Sequence, residues 1–242
     1  MRLSRLYVPV QLNVGSRIEL DDDAAHYVRT VLRLKQEQAI VLFNGQGGEY
    51  LCRFSEVSRK TVRIEIEQYI DRDVESPLTV NLGLGVSRGD RMDWAVQKAV
   101  ELGVTNLTPL ITERCVIKFN DEKKQQRQQH WFNIIQHAAE QSGRARLPVL
   151  NPVIGFADWV AARQSLRIFL DPLAERALHD LNPESRQVTL LSGPEGGFSD
   201  HERQYAVNAG FIPVRMGPRI LRTETAVLAA LTAVQALWGD LR

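Results

Sequence analysis

Two stretches in the last third of the chain combine residue types that point to a bound ligand. Leu190-Leu191-Ser192-Gly193-Pro194-Glu195-Gly196-Gly197-Phe198-Ser199 runs an apolar strand directly into three glycines, a proline and a carboxylate. Glycines at such a place let the backbone close on a ligand, and a helix starting just beyond offers free amides. A purely structural turn needs one or two glycines, whereas here three cluster around a charge. Met216-Gly217-Pro218-Arg219-Ile220-Leu221-Arg222-Thr223-Glu224-Thr225-Ala226 ends the next strand in the same manner. Its arginines are cationic donors and Thr223 can cap a helix, but neither role explains an apolar Ile220-Leu221 pair inside a loop. That pair suits the edge of an aromatic ligand ring such as adenine. In open α/β sheets ligands bind at the carboxyl ends of the strands, where both loops fall.

Other chemistries find less support. Gly83-Leu84-Gly85-Val86-Ser87-Arg88-Gly89 has the spacing G-x-G-x-x-x-G, not the dinucleotide-binding G-x-G-x-x-G. Val80, Leu82, Leu84 and Val86 alternate through its first two glycines, which therefore read as strand positions. His130 and His137 would lie about 10.5 Å apart along one helix, too far to share an ion, and no metal is expected. Nucleophile-elbow and P-loop motifs are absent. Cys52 and Cys115 lack metal or redox spacing and read as small packed side chains. From Arg114 to Arg146 seven bases (Arg114, Lys118, Lys123, Lys124, Arg127, Arg144, Arg146) face three acids, a basic stretch that fits either a nucleic acid or a solvated helix face.

Elements that could position these loops follow from the pattern. The chain has 242 residues, 44% hydrophobic and 24% charged, with a net charge of +1, an ordinary globular composition without a global nucleic-acid signature. No run approaches the roughly 20 apolar residues of a spanning helix, and the charged N-terminus does not resemble a signal peptide, so a cytoplasmic location is expected. Up to residue 70 the chain reads as short strands, Ile18 to Leu20, Ala39 to Phe43, Tyr50 to Val57 and Thr61 to Ile70, with Val62, Ile64 and Ile66 on one face. Asn44-Gly45-Gln46-Gly47-Gly48 reads as a hairpin loop. One helix opens at Asp21-Asp22-Asp23 and runs through Val28, Val31 and Leu32. Turn-forming residues from Asp71 to Pro77 place a domain boundary, giving domains 1–73 and 74–242. Beyond it strands (Thr79 to Val86, Leu107 to Ile111, Leu166 to Leu170, Val188 to Leu191, Ile212 to Arg215) alternate with helices (Asp90 to Leu102, Asp121 to Gln141, His201 to Ala209, Glu224 to Trp238). That alternation argues a parallel α/β sheet. Gly103, Gly143 and Gly210 fit helix C-termini, and Ser199-Asp200-His201-Glu202 fits a capping box.

With these residues in hand, the chain resembles the SPOUT methyltransferase superfamily, and within it the RsmE-type enzymes of small-subunit ribosomal RNA. Besides the two loops, the resemblance rests on Arg29-Thr30-Val31-Leu32-Arg33-Leu34, Gly89-Asp90-Arg91-Met92-Asp93-Trp94, Gln97-Lys98-Ala99, Glu101-Leu102-Gly103-Val104 and Glu140-Gln141-Ser142-Gly143-Arg144, all in the family's order. It implies an N-terminal PUA-like RNA-binding β-barrel, a C-terminal α/β domain tied in a deep trefoil knot, and a homodimer. An apolar helix from Ala226 to Trp238, which needs burial on more than one face, agrees with the last point. The implied reaction is S-adenosylmethionine-dependent methylation of N3 of a uridine in 16S rRNA, uridine 1498 by that resemblance. Cofactor contacts are expected from Leu170, Leu191, Ser192, Gly193, Gly196, Gly197, Met216, Gly217, Ile220, Leu221 and Ala226. RNA contacts are expected from Arg5, Arg29, Arg33, Arg88, Arg91, Lys123, Lys124 and Arg127.

A uridine N3 carries a proton and is a poor nucleophile, so catalysis requires positioning, proton removal and stabilisation of charge on the uracil oxygens. Arg222 and Arg144 are the candidate cations, and Glu195 and Glu140 the candidate proton acceptors or loop-orienting groups. Two other classes stay open on the residues alone: a non-catalytic RNA-binding protein, and a nucleotide-binding oxidoreductase built on the Gly83 loop.

Overall fold

The computed structural model describes residues 3–115, 120–161 and 166–241. They form two compact units, one running to Glu75 and joined by Ala139–Leu147, the other comprising Ser76–Ala138 and the chain from Pro148 on.

The first unit is a five-stranded sheet of β1 (Arg5–Tyr7), β2 (Arg17–Glu19), β3 (Ala39–Phe43), β4 (Glu49–Val57) and β5 (Val62–Ile70), in the order β1-β3-β4-β5-β2. β1 runs parallel to β3, and the other pairs are antiparallel. Val62, Ile64 and Ile66 share one core with Ile40, Leu42, Cys52 and Phe54, the alternation expected of β5. Register slips at Leu51/Cys52 and Phe54/Glu56 are bulges, which bend strands and let a small sheet turn around a single core. Burial pushes the Cys52 thiol up to about 12, so it packs as an inert apolar side chain.

The expected single helix is two pieces. In α1 (Asp22–Tyr27) the side chain of Asp21 accepts from the Ala24 N–H at 2.8 Å. A π turn over Val28–Leu32 follows and stops at Arg33, whose φ of 53° is left-handed. Widening the turn rotates Val31 out to solvent, 60% exposed, while Val28 is fully buried. β1 carries no sequence signal, because three residues show no period and its first member is charged.

The second unit is a sheet of β6 (Thr79–Gly85), β7 (Asn106–Ile111), β8 (Val149–Leu150), β9 (Ile154–Gly155), β10 (Leu166–Leu170), β11 (Gln187–Ser192) and β12 (Ile212–Val214). Its order is β12-β10-β11-β6-β7-β8, with β9 also beside β7, and each of these pairs is parallel. The helices are α2 (Asp90–Glu101), α3 (Asp121–Ser142), α4 (Phe156–Val160), α5 (Asp200–Asn208) and α6 (Thr223–Trp238). β8, β9 and α4 are too short to show a period in the sequence. Ser199 and Glu202 make the expected reciprocal cap, and Gly103, Gly143 and Gly210 are left-handed as expected of helix ends. No helix among the described residues is long and apolar enough to cross a membrane.

Helix α6 packs on α2, burying Val227, Ala230, Leu231 and Val234, while Leu237 stays 47% exposed. Its buried Gln235 donates to the carbonyl of Leu102 at 3.0 Å and accepts from the Ser76 hydroxyl at 2.7 Å, satisfying a carbonyl at the end of α2.

Candidate functional site

β10, β11 and β12 are neighbours, with Phe169 opposite Leu191 and Leu170 opposite Val214, so their C-terminal loops emerge side by side. Those loops enclose a cleft of about 370 Å³. Nine of the expected cofactor residues line it: Leu170, Ser192, Gly193, Gly197, Met216, Gly217, Ile220, Leu221 and Ala226. Arg222 and Glu195 line it as well. The other two expected cofactor residues do not. Leu191 is wholly buried in a cluster with Phe169, Phe198 and Phe211, and Gly196 turns away, its carbonyl accepting from Arg114 Nη1 at 3.1 Å.

The walls are partly bare backbone. Gly197 and Gly217 have φ of 65° and 81°, and a Cβ on either would meet nothing within 4 Å. Left-handed backbone beside open space needs glycine for its conformation, and it leaves peptide groups facing the opening. Gly193 passes close over a ring, where a Cβ would lie 3.2 Å from Phe198.

Gly83 and Gly85 sit inside β6 and make no phosphate loop. A Cβ on Gly85 would lie 2.5 Å from Pro194, and one on Gly83 2.5 Å from the Trp159 indole. Close packing, not ligand binding, accounts for both, which removes the residue basis of the oxidoreductase reading.

Both carboxylates of the cleft are already held by arginine. Asp171 accepts from Arg203 Nη1 at 2.6 Å and from the Leu173 N–H at 2.9 Å. Glu195 Oε1 accepts from Arg91 Nη1 and from the Arg88 N–H, each at 3.1 Å, tying the glycine-rich loop to the start of α2. Arg215, Arg219 and Arg222 are exposed along the same cleft and form no ion pair with a described residue. The rim is therefore cationic and open to an anion. Asp171 and Arg203 are site residues that the sequence pattern does not single out. Asp171 directly follows Leu170 and is legible by adjacency, but Arg203 lies on α5 in a different element and carries no local signal.

The remaining expected residues have other surroundings. Arg144 and Glu140 belong to the first unit and do not line the cleft. The Arg144 guanidinium is buried, with Nε donating to both carboxylate oxygens of Glu75 at 3.1 Å, and Glu140 accepts from the Tyr7 N–H at 3.0 Å. Arg5, expected on the RNA surface, is buried: it pairs with Glu49, donates to the Arg144 carbonyl at 3.0 Å and stacks over Phe43. A guanidinium so enclosed cannot reach a phosphate, and Arg5 is a brace. Arg29 is half-buried and donates to the Ser58 carbonyl at 3.2 Å, whereas Arg33, Arg88 and Lys123 are exposed. Lys124 lies 3.4 Å from Asp121, and Arg127 is half-buried on the same helix. Lys118 of the basic stretch is outside the described residues. Among the described residues no group of His, Cys, Asp and Glu could hold a metal ion.

Comparison with known proteins agrees with this geometry. Residues 74–235 match the model of the RNA methyltransferase domain, and residues 20–67 that of the RNA methyltransferase PUA domain. Ribosomal RNA small subunit methyltransferase E of Buchnera aphidicola subsp. Schizaphis graminum (strain Sg) is 35% identical over 99% of this chain and 98% of its own. The Bacillus subtilis enzyme of the same name is 28% identical over 95% of each chain. The crystal structure of ribosomal RNA small subunit methyltransferase E from Neisseria gonorrhoeae, bound to S-adenosyl methionine, superposes with a TM-score of 0.93 at 37% identity, covering both chains fully. A PUA domain followed by a parallel sheet with a three-loop cleft defines an RNA methyltransferase. The chain belongs to the ribosomal RNA small subunit methyltransferase E family.

Proposed function

We propose that this chain transfers the methyl group of S-adenosylmethionine to N3 of a uridine in 16S rRNA, uridine 1498, within the small ribosomal subunit. The observation that carries this reading is the convergence of three crevice loops on one cleft with backbone-lined walls, an apolar side and a cationic rim. Leu170, Val214, Ile220 and Leu221 suit an adenine ring, and the bare backbone at Gly197 and Gly217 suits the polar edges of such a cofactor. When bound there, the cofactor supplies a methyl carbon already activated by its sulfonium.

The chain's own residues then hold the uracil in line, and orientation alone supplies about 7–11 kcal/mol of such a barrier. Arg222, exposed at the cleft, stabilises charge gathering on a uracil oxygen. Glu195, held by Arg91 and the Arg88 amide, either takes the N3 proton or fixes the loop around it. Arg144 and Glu140 brace the first unit. The PUA domain grips RNA through Arg33, and Arg88 and the start of α3 add further contacts. The last elements thread the family's trefoil knot, and the protein works in the cytoplasm as a homodimer.

Calorimetric titration should show binding of S-adenosylmethionine and none of NADH. Small subunits from a strain lacking the gene should gain one methyl at the target uridine when incubated with protein and cofactor, read by mass mapping. Cofactor binding without any methyl gain would overturn the substrate. For the dimer, Leu231 and Val234 are buried within this chain and would report only on folding, so Leu237→Glu is the informative change. It should shift light scattering to the monomer mass, and an unchanged mass would remove α6 from the interface.

A further inference from the structure

Toward the N-terminal ends of the same parallel strands lies a second cavity, of about 340 Å³, that the proposed reaction does not use. Asn106, Asn81 and Thr189 stand in register on β7, β6 and β11 and so form a polar row across one face of the sheet. Sheets covered on both faces are normally Val, Ile and Leu at such positions, and a buried polar group costs free energy unless it is hydrogen-bonded.

The row satisfies itself only in part. Asn106 Nδ2 donates to Asn81 Oδ1 at 2.7 Å, and Asn151 Nδ2 donates to Thr108 Oγ1 at 3.0 Å. Asn81 Nδ2 and Thr189 Oγ1 are buried with no hydrogen-bond partner among the described residues, and both residues line the cavity. Trp159 and Phe211 supply its aromatic side, with ring centroids 5.9 Å apart. The close seat of the indole on Gly83 holds it there. The lining side chains carry no charge, but Arg167, opposite Thr189 on β10, borders them with its guanidinium 5.8 Å from the Phe211 ring centroid.

We propose that this cavity binds an uncharged heterocyclic amide of the nucleobase class. A ring carbonyl would accept from Asn81 Nδ2, the Thr189 hydroxyl would serve a ring nitrogen, and the aromatic side would cover the ring. Cavities of about 300–1,000 Å³ with aromatic walls and a few placed polar groups are the usual form of small-ligand sites. Ordered water would satisfy the polar row but leave the aromatic side without a partner. The base could come from a free nucleoside or from an unpaired position of an RNA strand.

Fluorine NMR on protein carrying 5-fluorotryptophan separates these cases, with Trp159→Phe assigning the resonance. Uridine, or a single-stranded uridine hexanucleotide, should move the Trp159 signal saturably. A response to uridine identifies the free nucleoside, and a response to the hexanucleotide alone identifies the RNA strand. Thr189→Val, nearly isosteric, should weaken this binding at least tenfold and leave S-adenosylmethionine affinity unchanged, and Asn81→Ala should do the same. An immobile Trp159 signal with both probes would overturn the proposal. So would undiminished binding in both variants, or crystals soaked in uridine that show ordered water alone in the cavity.

Discussion

Two sets of arginines, one in each unit, have opposite fates. In the first unit Arg5 and Arg144 are buried against Glu49 and Glu75, while at the cleft of the second unit Arg215, Arg219 and Arg222 stand exposed with no carboxylate partner among the described residues. A charge taken out of water requires a partner close by, so burial and pairing come together in Arg5 and Arg144. A charge left in water is free to meet an incoming anion. Within the cleft itself the division repeats, since Arg91 and Arg203 are committed to Glu195 and Asp171. What an arginine does here is decided by whether the fold brings a carboxylate to it, which residue type and local basic density do not reveal.

The contrast breaks most visibly at Arg5. Arg5→Ala leaves Glu49 buried, with the more distant Arg72 at 3.5 Å as its ion-pair partner among the described residues, and should cost about 3–5 kcal/mol of stability, read from the urea midpoint. A loss under about 1 kcal/mol would mean that the pair is dispensable and Arg5 no brace. At the cleft the largest effect should come from backbone. Gly217→Val puts a β-branched residue at φ 81°, where strain of about 1–3 kcal/mol displaces the loop. S-adenosylmethionine affinity should fall on the order of 100-fold, about 2.7 kcal/mol, in a protein that still folds. Unaltered affinity would detach that loop from the cofactor site. The double change of Arg215 and Arg219 to Ala should leave stability within about 0.5 kcal/mol. It should also reduce the salt dependence of RNA binding, by up to about 0.9 log units per log unit of salt for each phosphate no longer neutralised. A large drop in melting temperature would show them to be braces after all.

Periodicity makes the sheet and the long helices of the second unit legible, and the glycine-rich loops expose most of the candidate cleft, because glycine and proline mark backbone that leaves regular structure. Those signals are local. Arg5 with Glu49, Arg144 with Glu75 and Asp171 with Arg203 are separated by 44, 69 and 32 residues, and no short window of sequence contains both partners. Leu191 falls outside the cleft for a different reason: strand alternation sends Leu191 and Ser192 to opposite faces, and only Ser192 lines the opening. The glycines of β6 are legible as strand positions, but the indole and proline they accommodate belong to α4 and to the loop after β11.

The smallest expected effect divides the pair Arg29 and Arg33, which their spacing presents as one RNA grip. Arg29 is half-buried and spends a donor on the Ser58 carbonyl, while Arg33 is exposed at the end of the π turn with a φ of 53°. Left-handed backbone in a non-glycine residue is uncommon and costs free energy, and at Arg33 it carries the chain out of the helix path. Arg33→Ala should therefore lower RNA affinity slightly and flatten its salt slope by up to about 0.9, for one phosphate, with melting temperature nearly constant. Arg29→Ala should do the reverse, losing about 1 kcal/mol with its hydrogen bond and leaving the salt slope alone. Measured together on small subunits and on isolated RNA, the two variants test whether the division between braces and grips extends from the cleft to the PUA domain. Equal salt slopes for both variants would mean that exposure alone does not select the arginines that meet phosphate, and that the grip lies at the start of α3, where Lys123→Ala is the next change to make.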